Sequence, residues 1–522
     1  MGSPLVAEAE QMFNVQHAKV ADMILDFCSV KRSSAILACT GPSVKARRNF
    51  WSHVSASKKQ SSDLSAVVDP ISGVVKCGLD EIKSEVEKHL TGVFQGSFDK
   101  IPPIVMIGEN DQFDDHTYGE VRPSMAGSLP EHSYSVNPSP SLPSLDSSGS
   151  LVKELGTWMN NEFTFDEVKM MLKKLMNGKA YGWDDIPNEA LKNLPDSMIE
   201  KIVQLYNKIM SSGILPRGWN RGRITLVHKR GLRELLGNYR PITVLISLSG
   251  LYSKVLNERL MQLTETHKLL GEIQNGFRKT RCGADSTFVL DTILWKSRAK
   301  GKPVHMSFVD IMKAYDTVNR EKLWKKLSAL GFSGNFLATL KSLYTDDSVD
   351  CDVNGLTTRP LFLRRGLRQG CALSPLLFAL YIMDVGNDIN VSGLGFMIGK
   401  MCVSGLLFAD DLVIFARSAS GLKSLLSLVR KGFDKLKLAI SVEKSQVISP
   451  QADNWDVVDD GGNVVLSLDQ VELYKYLGTW TYNSMYRTAV EKQKLCVKKA
   501  RKYKSSCNHV SRMGPDIVDV VL

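Results

Sequence analysis

Ser404-Gly405-Leu406-Leu407-Phe408-Ala409-Asp410-Asp411-Leu412-Val413-Ile414-Phe415 is the stretch on which the fold turns. Apolar, β-prone runs flank two adjacent carboxylates, which predicts a hairpin whose turn presents Asp410 and Asp411. Neighbouring side chains on a straight strand point to opposite faces, so both acids serve one site only if the chain bends there. Two acids in an otherwise apolar hairpin repel and are poorly solvated unless a cation sits between them. Magnesium suits them, being a hard ion commonly held by one or two carboxylates plus substrate phosphates. Taken alone, an Asp-Asp turn equally describes an ordinary hydrophilic hairpin loop.

A second stretch upstream, Met306-Ser307-Phe308-Val309-Asp310-Ile311-Met312-Lys313-Ala314-Tyr315-Asp316, again ends an apolar run in an acid. If its strand pairs beside the hairpin, Asp310 joins Asp410 and Asp411, and three carboxylates can hold two metal ions for phosphoryl transfer. Between the two lies Gly366-Leu367-Arg368-Gln369-Gly370-Cys371-Ala372-Leu373-Ser374-Pro375-Leu376-Leu377-Phe378, a turn opening a long apolar run. The three blocks together resemble the palm motifs of reverse transcriptases, in wording closest to non-LTR (LINE-type) retrotransposon polymerases. The resemblance spans about Phe163 to Gly478, and Ala46 to Phe98 more loosely resembles the region that precedes the polymerase in such elements.

That resemblance implies an α+β chain in the right-hand polymerase fold, with fingers, a ferredoxin-like palm sheet and a partial thumb. It implies RNA-directed DNA synthesis on an RNA template and a DNA primer, using deoxynucleoside triphosphates. Asp310, Asp410, Asp411 and the backbone carbonyl of Ile311 would hold two Mg²⁺ ions, with Mn²⁺ as a substitute. Lys229 and Arg240 would grip the triphosphate, and Tyr315 would exclude a ribose 2′-hydroxyl by clashing with it. Gln369 and Gly370 would face the sugar and the forming base pair, and Lys444 would attend the leaving pyrophosphate. Arg278, within Gln274-Asn275-Gly276-Phe277-Arg278, would contact template phosphate; Phe408 and Ala409 would lie under the primer end, and Tyr476, Leu477 and Gly478 would form a primer grip. The rival reading is a catalytically silent nucleic-acid-binding remnant.

Length and composition fit a globular protein of about three structural units. Lysine plus arginine outnumber aspartate plus glutamate by 66 to 55, a net +11 that favours a polyanionic partner, although solvated lysine faces also give such a balance. The nine cysteines are scattered without a Cys-x-x-Cys pair, so free thiols in a reducing compartment are expected. No apolar run reaches the ~18 residues of a membrane span, and the first residues lack a secretory pattern. An intracellular protein is expected, acting in the nucleus if the resemblance holds.

Along the chain, residues 1–118 are expected to be a mostly helical N-terminal extension. Its Arg47, Arg48, Phe50 and Trp51 either grip a phosphate backbone or form a helix with a basic outer face and an aromatic inner one. Asp69-Pro70-Ile71-Ser72-Gly73 predicts a turn between short strands, and Asp80–Leu90 a helix with Ile82, Val86 and Leu90 inward. Residues 119–150, rich in Ser and Pro, read as a mobile linker. Residues 151–300 are expected to be fingers and the helices before the palm. There a capping box, Thr164 to Glu167, starts a helix stopped by Gly178, and a second helix closes at Gly213. The palm would occupy 301–480. A basic helix over 492–504 would begin a thumb, 481–522, that is cut short, and no endonuclease signature precedes the polymerase.

Overall fold

The strand His305–Val309 is buried on both faces because it runs through the middle of a five-stranded sheet. On one side it pairs antiparallel with Asp411–Ala416, which pairs in turn with Gly405–Phe408; on the other it pairs with Gln446–Ile448, beyond which lies Asp469–Gln470. This computed structural model describes residues 64–94 except 65 and 71, and 158–482 except 230 and 460.

Connections give the first four of these strands their identity. Strand His305–Val309 leads through helices, the last being Ser374–Val391, to the hairpin Gly405–Phe408 and Asp411–Ala416; helix Ala419–Leu436 then leads to Gln446–Ile448. The chain order β-α-β-β-α-β, with the first strand between the third and fourth, is the ferredoxin-like arrangement. Alternation sorts the two faces. Val309, Leu412, Ile414 and Val447 enter the largest core beneath the two long helices, whereas Met306, Phe308, Val413, Phe415 and Ile448 pack on helix Gly283–Ala299 and hairpin Leu473–Tyr476/Thr479–Tyr482.

A second sheet stands beside the first. Arg221–His228 pairs antiparallel with Tyr239–Leu245 and parallel with Ser348–Val353, and two short strands, Leu356–Thr357 and Leu361–Phe362, complete it. Helix Leu79–Phe94 lies on this sheet. Its Ile82, Val86, Leu90, Val93 and Phe94 share one buried cluster with Ile224, Leu226, Val349 and Leu361, so the expected inward face is correct and the helix runs one turn longer than Leu90. The predicted turn after Val68 joins two short strands, Val67–Val68 and Val75–Lys76.

The capping box at Thr164 forms as expected, but its helix, Phe165–Lys173, ends at Lys174 rather than at Gly178. Leu175 still reaches the core from outside the helix. Helix Asp196–Ser212 closes on Gly213 in the left-handed conformation that glycine tolerates. Asn319 caps Arg320–Ala329 through the Lys322 N–H. The largest core runs from Met159 to Leu468 without a break at residue 300. The basic group at 47–51, the linker 119–150 and the basic stretch 492–504 lie outside the described residues.

Candidate active site

Register decides which side chains meet. Leu412 pairs with Val309 and Phe308 with Gln446, so continuing both ladders places Asp411, Asp310 and Lys444 in one row across three strands. The Lys444 Nζ lies 3.5 Å from an Asp310 carboxylate oxygen, as that register requires. Asp310 and Asp411 follow the alternation of Phe308 and Val413, so both lie on the same face of the sheet. Asp310 is anchored through its backbone: its N–H donates to the Ser445 hydroxyl at 3.0 Å, and its carbonyl accepts the Ser441 N–H at 2.9 Å. The bridge between Ile311 and Ile440 uses the backbone of residues 310 and 312, leaving the Ile311 carbonyl out of it.

The bend expected between the two adjacent acids is real. Ala409 and Asp410 form a two-residue turn between Phe408 and Asp411, with Ala409 at φ 60°. The turn is held from outside the hairpin. The Gln274 Oε1 accepts the N–H groups of Ala409 at 3.0 Å and Gly276 at 2.8 Å, while Leu407 exchanges backbone hydrogen bonds with Ile273 and Asn275. A Cβ on Gly276 would come within 2.3 Å of the Ala409 nitrogen, so a glycine is required there.

Electrostatics reports the crowding of acids. Burial pushes the Asp411 carboxyl up to about 6, with the charges of Asp410 and Asp310 adding to the effect. Asp410 is raised chiefly by burial and further by Asp310, while Arg240 and Lys444 oppose the rise. Lys229 is lowered, first by burial and then by Arg240 and Lys444. Lys229 and Arg240 follow the same alternation on their hairpin, away from its buried cluster, so the second sheet presents both cations on its free face. Among the described residues no three His, Cys, Asp or Glu side chains are already gathered as a metal-binding group.

Around this row the nucleotide residues expected from sequence find distinct places. Tyr315 stacks on Phe378 at 5.1 Å, and the charge of Asp410 reaches its hydroxyl. Gln369 bonds through its Nε2 to Asp316 and through its carbonyl to the Thr243 N–H of the second sheet. A Cβ on Gly370 would lie 2.3 Å from the Thr243 carbonyl oxygen. The loop before Gln369 is stitched by Arg320 and Arg368, which share the fully buried Asp347 at 2.8 and 2.7 Å. Leu477 and Gly478, both at positive φ, make the tip of their hairpin, and Leu477 and Phe408 converge on Gly283.

Two expected nucleic-acid contacts are corrected. The Arg278 guanidinium, 4% exposed, is paired with Glu265 at 2.7 Å and also donates to the Gly271 and Gln274 carbonyls. It braces the loop carrying Gln274 instead of reaching outward for template phosphate. Tyr476 is 3% exposed and packs on Phe308, on the face of the sheet that also carries Asp310 and Asp411, so its covered ring buttresses that face rather than touching a primer. Sequence reading missed Gln274, Asp316 and Asp347, because each acts through a partner distant in the chain.

Residues 227–481 match the family model described as reverse transcriptase (RNA-dependent DNA polymerase). This part of the chain is a reverse transcriptase domain. The matching curated relatives include the Pol polyprotein of the type-1 retrotransposable element R2 of Popillia japonica, 29% identical over 53% of this chain and 39% of that one. They also include the RNA-directed DNA polymerase from mobile element jockey of Drosophila melanogaster, 25% identical over 60% of this chain and 34% of that one. The chain thus spans little more than a third of the length of these relatives. Among solved structures, an apo telomerase from Candida tropicalis aligns at TM-score 0.36 and 13% identity, covering 54% of this chain and 59% of that one. All three acids fall within the reverse transcriptase domain, as do Lys229, Arg240 and Lys444. No helix among the described residues is long and apolar enough to cross a membrane.

Proposed function

We propose that the chain is the polymerase portion of a non-LTR retrotransposon protein, adding deoxynucleotides to a primer 3′-hydroxyl on an RNA template. The observation that carries this reading is the row Asp411, Asp310, Lys444, with Asp410 on the adjoining turn and Lys229 and Arg240 within electrostatic reach. The donor set fits a hard divalent cation: burial and the neighbouring acid charges raise the carboxyls of Asp411 and Asp410, and a positive ion among them relieves that repulsion. Asp310, Asp410 and Asp411, with the Ile311 carbonyl, would hold two Mg²⁺ ions, and triphosphate oxygens would complete the ligand shell. When bound, the ions lower the pKa of the 3′-hydroxyl and neutralise charge on the leaving pyrophosphate.

The protein's own groups do the remaining work. Arg240 and Lys229 hold the triphosphate, Lys444 stands where pyrophosphate departs, and the Tyr315 ring blocks a 2′-hydroxyl. Phe408, Ala409, Leu477 and Gly478 carry the primer end. In domain terms, residues 1–118 are an N-terminal extension, 119–150 a linker, 151–300 fingers, 301–480 palm and 481–522 the start of a thumb, with the nucleus as the place of action.

Asp310 lying toward Lys444 favours one alternative, a nucleic-acid-binding protein whose acids never assemble around an ion. Primer extension on an RNA template with Mg²⁺ separates the two. Asp410→Asn is expected to lower extension by at least about a thousandfold, a loss of roughly 4 kcal/mol of transition-state stabilisation, with RNA binding retained. Template binding with no extension by the unaltered protein would favour the silent form.

A further inference from the structure

We infer that Asp316 is a positioning residue: it fixes which end of the Gln369 amide faces the site, so that Gln369 meets the incoming nucleotide through its Oε1, as an acceptor. This rests on the polymerase reading above and extends it to one side chain the motifs left without a role. Asp316 is 5% exposed, and its two oxygens lie 2.9 and 3.1 Å from the Gln369 Nε2. Burial raises its carboxyl to about 6, which leaves it ionised in neutral to alkaline solution and able only to accept. A reversed amide would set oxygen against oxygen in a site with little water, so the orientation follows from charge.

The backbone leaves no slack for the pair to separate. The Leu367 N–H donates to the Tyr315 carbonyl at 2.7 Å and the Gly366 N–H to the Val318 carbonyl at 2.9 Å, so the loop bearing Gln369 runs along the segment bearing Asp316. A Cβ on Gly366, at φ 82°, would fall 2.7 Å from the Asp316 carbonyl oxygen, a close approach that only glycine allows. On the far side the Gln369 carbonyl accepts the Thr243 N–H at 2.6 Å, which ties the loop to the strand of Arg240. With its nitrogen and its backbone carbonyl committed, Gln369 has its Oε1 left to offer.

The test exchanges the two functional groups. Asp316→Asn, Gln369→Glu and the double variant are compared with the unaltered protein by steady-state extension on an RNA template, with thermal melting followed in parallel. Asp316→Asn frees the amide to turn, and Gln369→Glu sets two carboxylates together. Each is expected to raise the nucleotide KM about three- to tenfold with kcat little changed, the range of one hydrogen bond. The double variant moves the carboxylate across the same hydrogen bond while keeping volume, charge and an outward acceptor, and its KM should return to within about twofold of the original. An unchanged KM in Asp316→Asn, or a double variant no better than either single one, overturns the inference. Failure of the unaltered protein to extend at all rejects the polymerase reading, and the role of Asp316 falls with it.

Discussion

The Gln274 amide oxygen does what no local motif announces, holding the backbone of the turn that carries Asp410. It accepts two N–H groups from different segments, and the side chain is 3% exposed, so water cannot take its place. Gln274→Leu keeps the approximate volume and orphans both donors. We expect a loss of about 1–3 kcal/mol for each, read from urea unfolding, and a fall in extension beyond that in overall stability because Ala409 loses its anchor. Unaltered stability in this variant would show that the turn holds itself. Arg278 and Tyr476 teach the converse: their residue types fitted nucleic-acid contacts, and only their direction, inward to Glu265 and Phe308, ruled these out.

Elements are closed by residues far from them in sequence. Helix Ser247–Thr266 has Ile246 at its N-cap, a residue without a capping side chain, and the Ser247 N–H is instead taken by Asp184 at 2.7 Å. Burial raises the Asp184 carboxyl to about 6, despite hydrogen bonds that lower it. Its folded pKa thus lies above the unfolded value of ~4, the folded state binds more protons between these limits, and stability falls as pH rises through that window. Asp184→Asn keeps an acceptor and removes the titration. Its melting temperature should gain on that of the original protein between about pH 4 and pH 6 and hold a constant offset above, which paired melting curves would reveal. A gap independent of pH would place the titration elsewhere.

At the scale of the whole chain, the described residues of 64–94 are part of the same body as the second sheet. Helix Leu79–Phe94 completes the buried cluster of the second sheet, Asn354 exchanges hydrogen bonds with the Leu64 backbone, and Glu87 receives the Arg359 N–H and guanidinium. Leu90→Ala would open a cavity in that shared cluster and is expected to cost about 2–5 kcal/mol, shifting a single unfolding transition rather than splitting off an early one. An early separate transition would mean that helix Leu79–Phe94 and its neighbours unfold apart from the second sheet.

By itself the sequence determined the strand and hairpin at Asp310 and Asp410, and the helix caps at Thr164, Gly213 and Asn319. These follow from local periodicity, turn chemistry and block order, which a chain carries residue by residue. Only the tertiary structure decided that Asp411, Asp310 and Lys444 share a row, that Gln274 and Asp316 serve as supports, and that Arg278 and Tyr476 turn inward. Strand register and side-chain direction are set by packing against distant partners, and a one-residue slip would send each acid to the opposite face without altering a letter of the sequence.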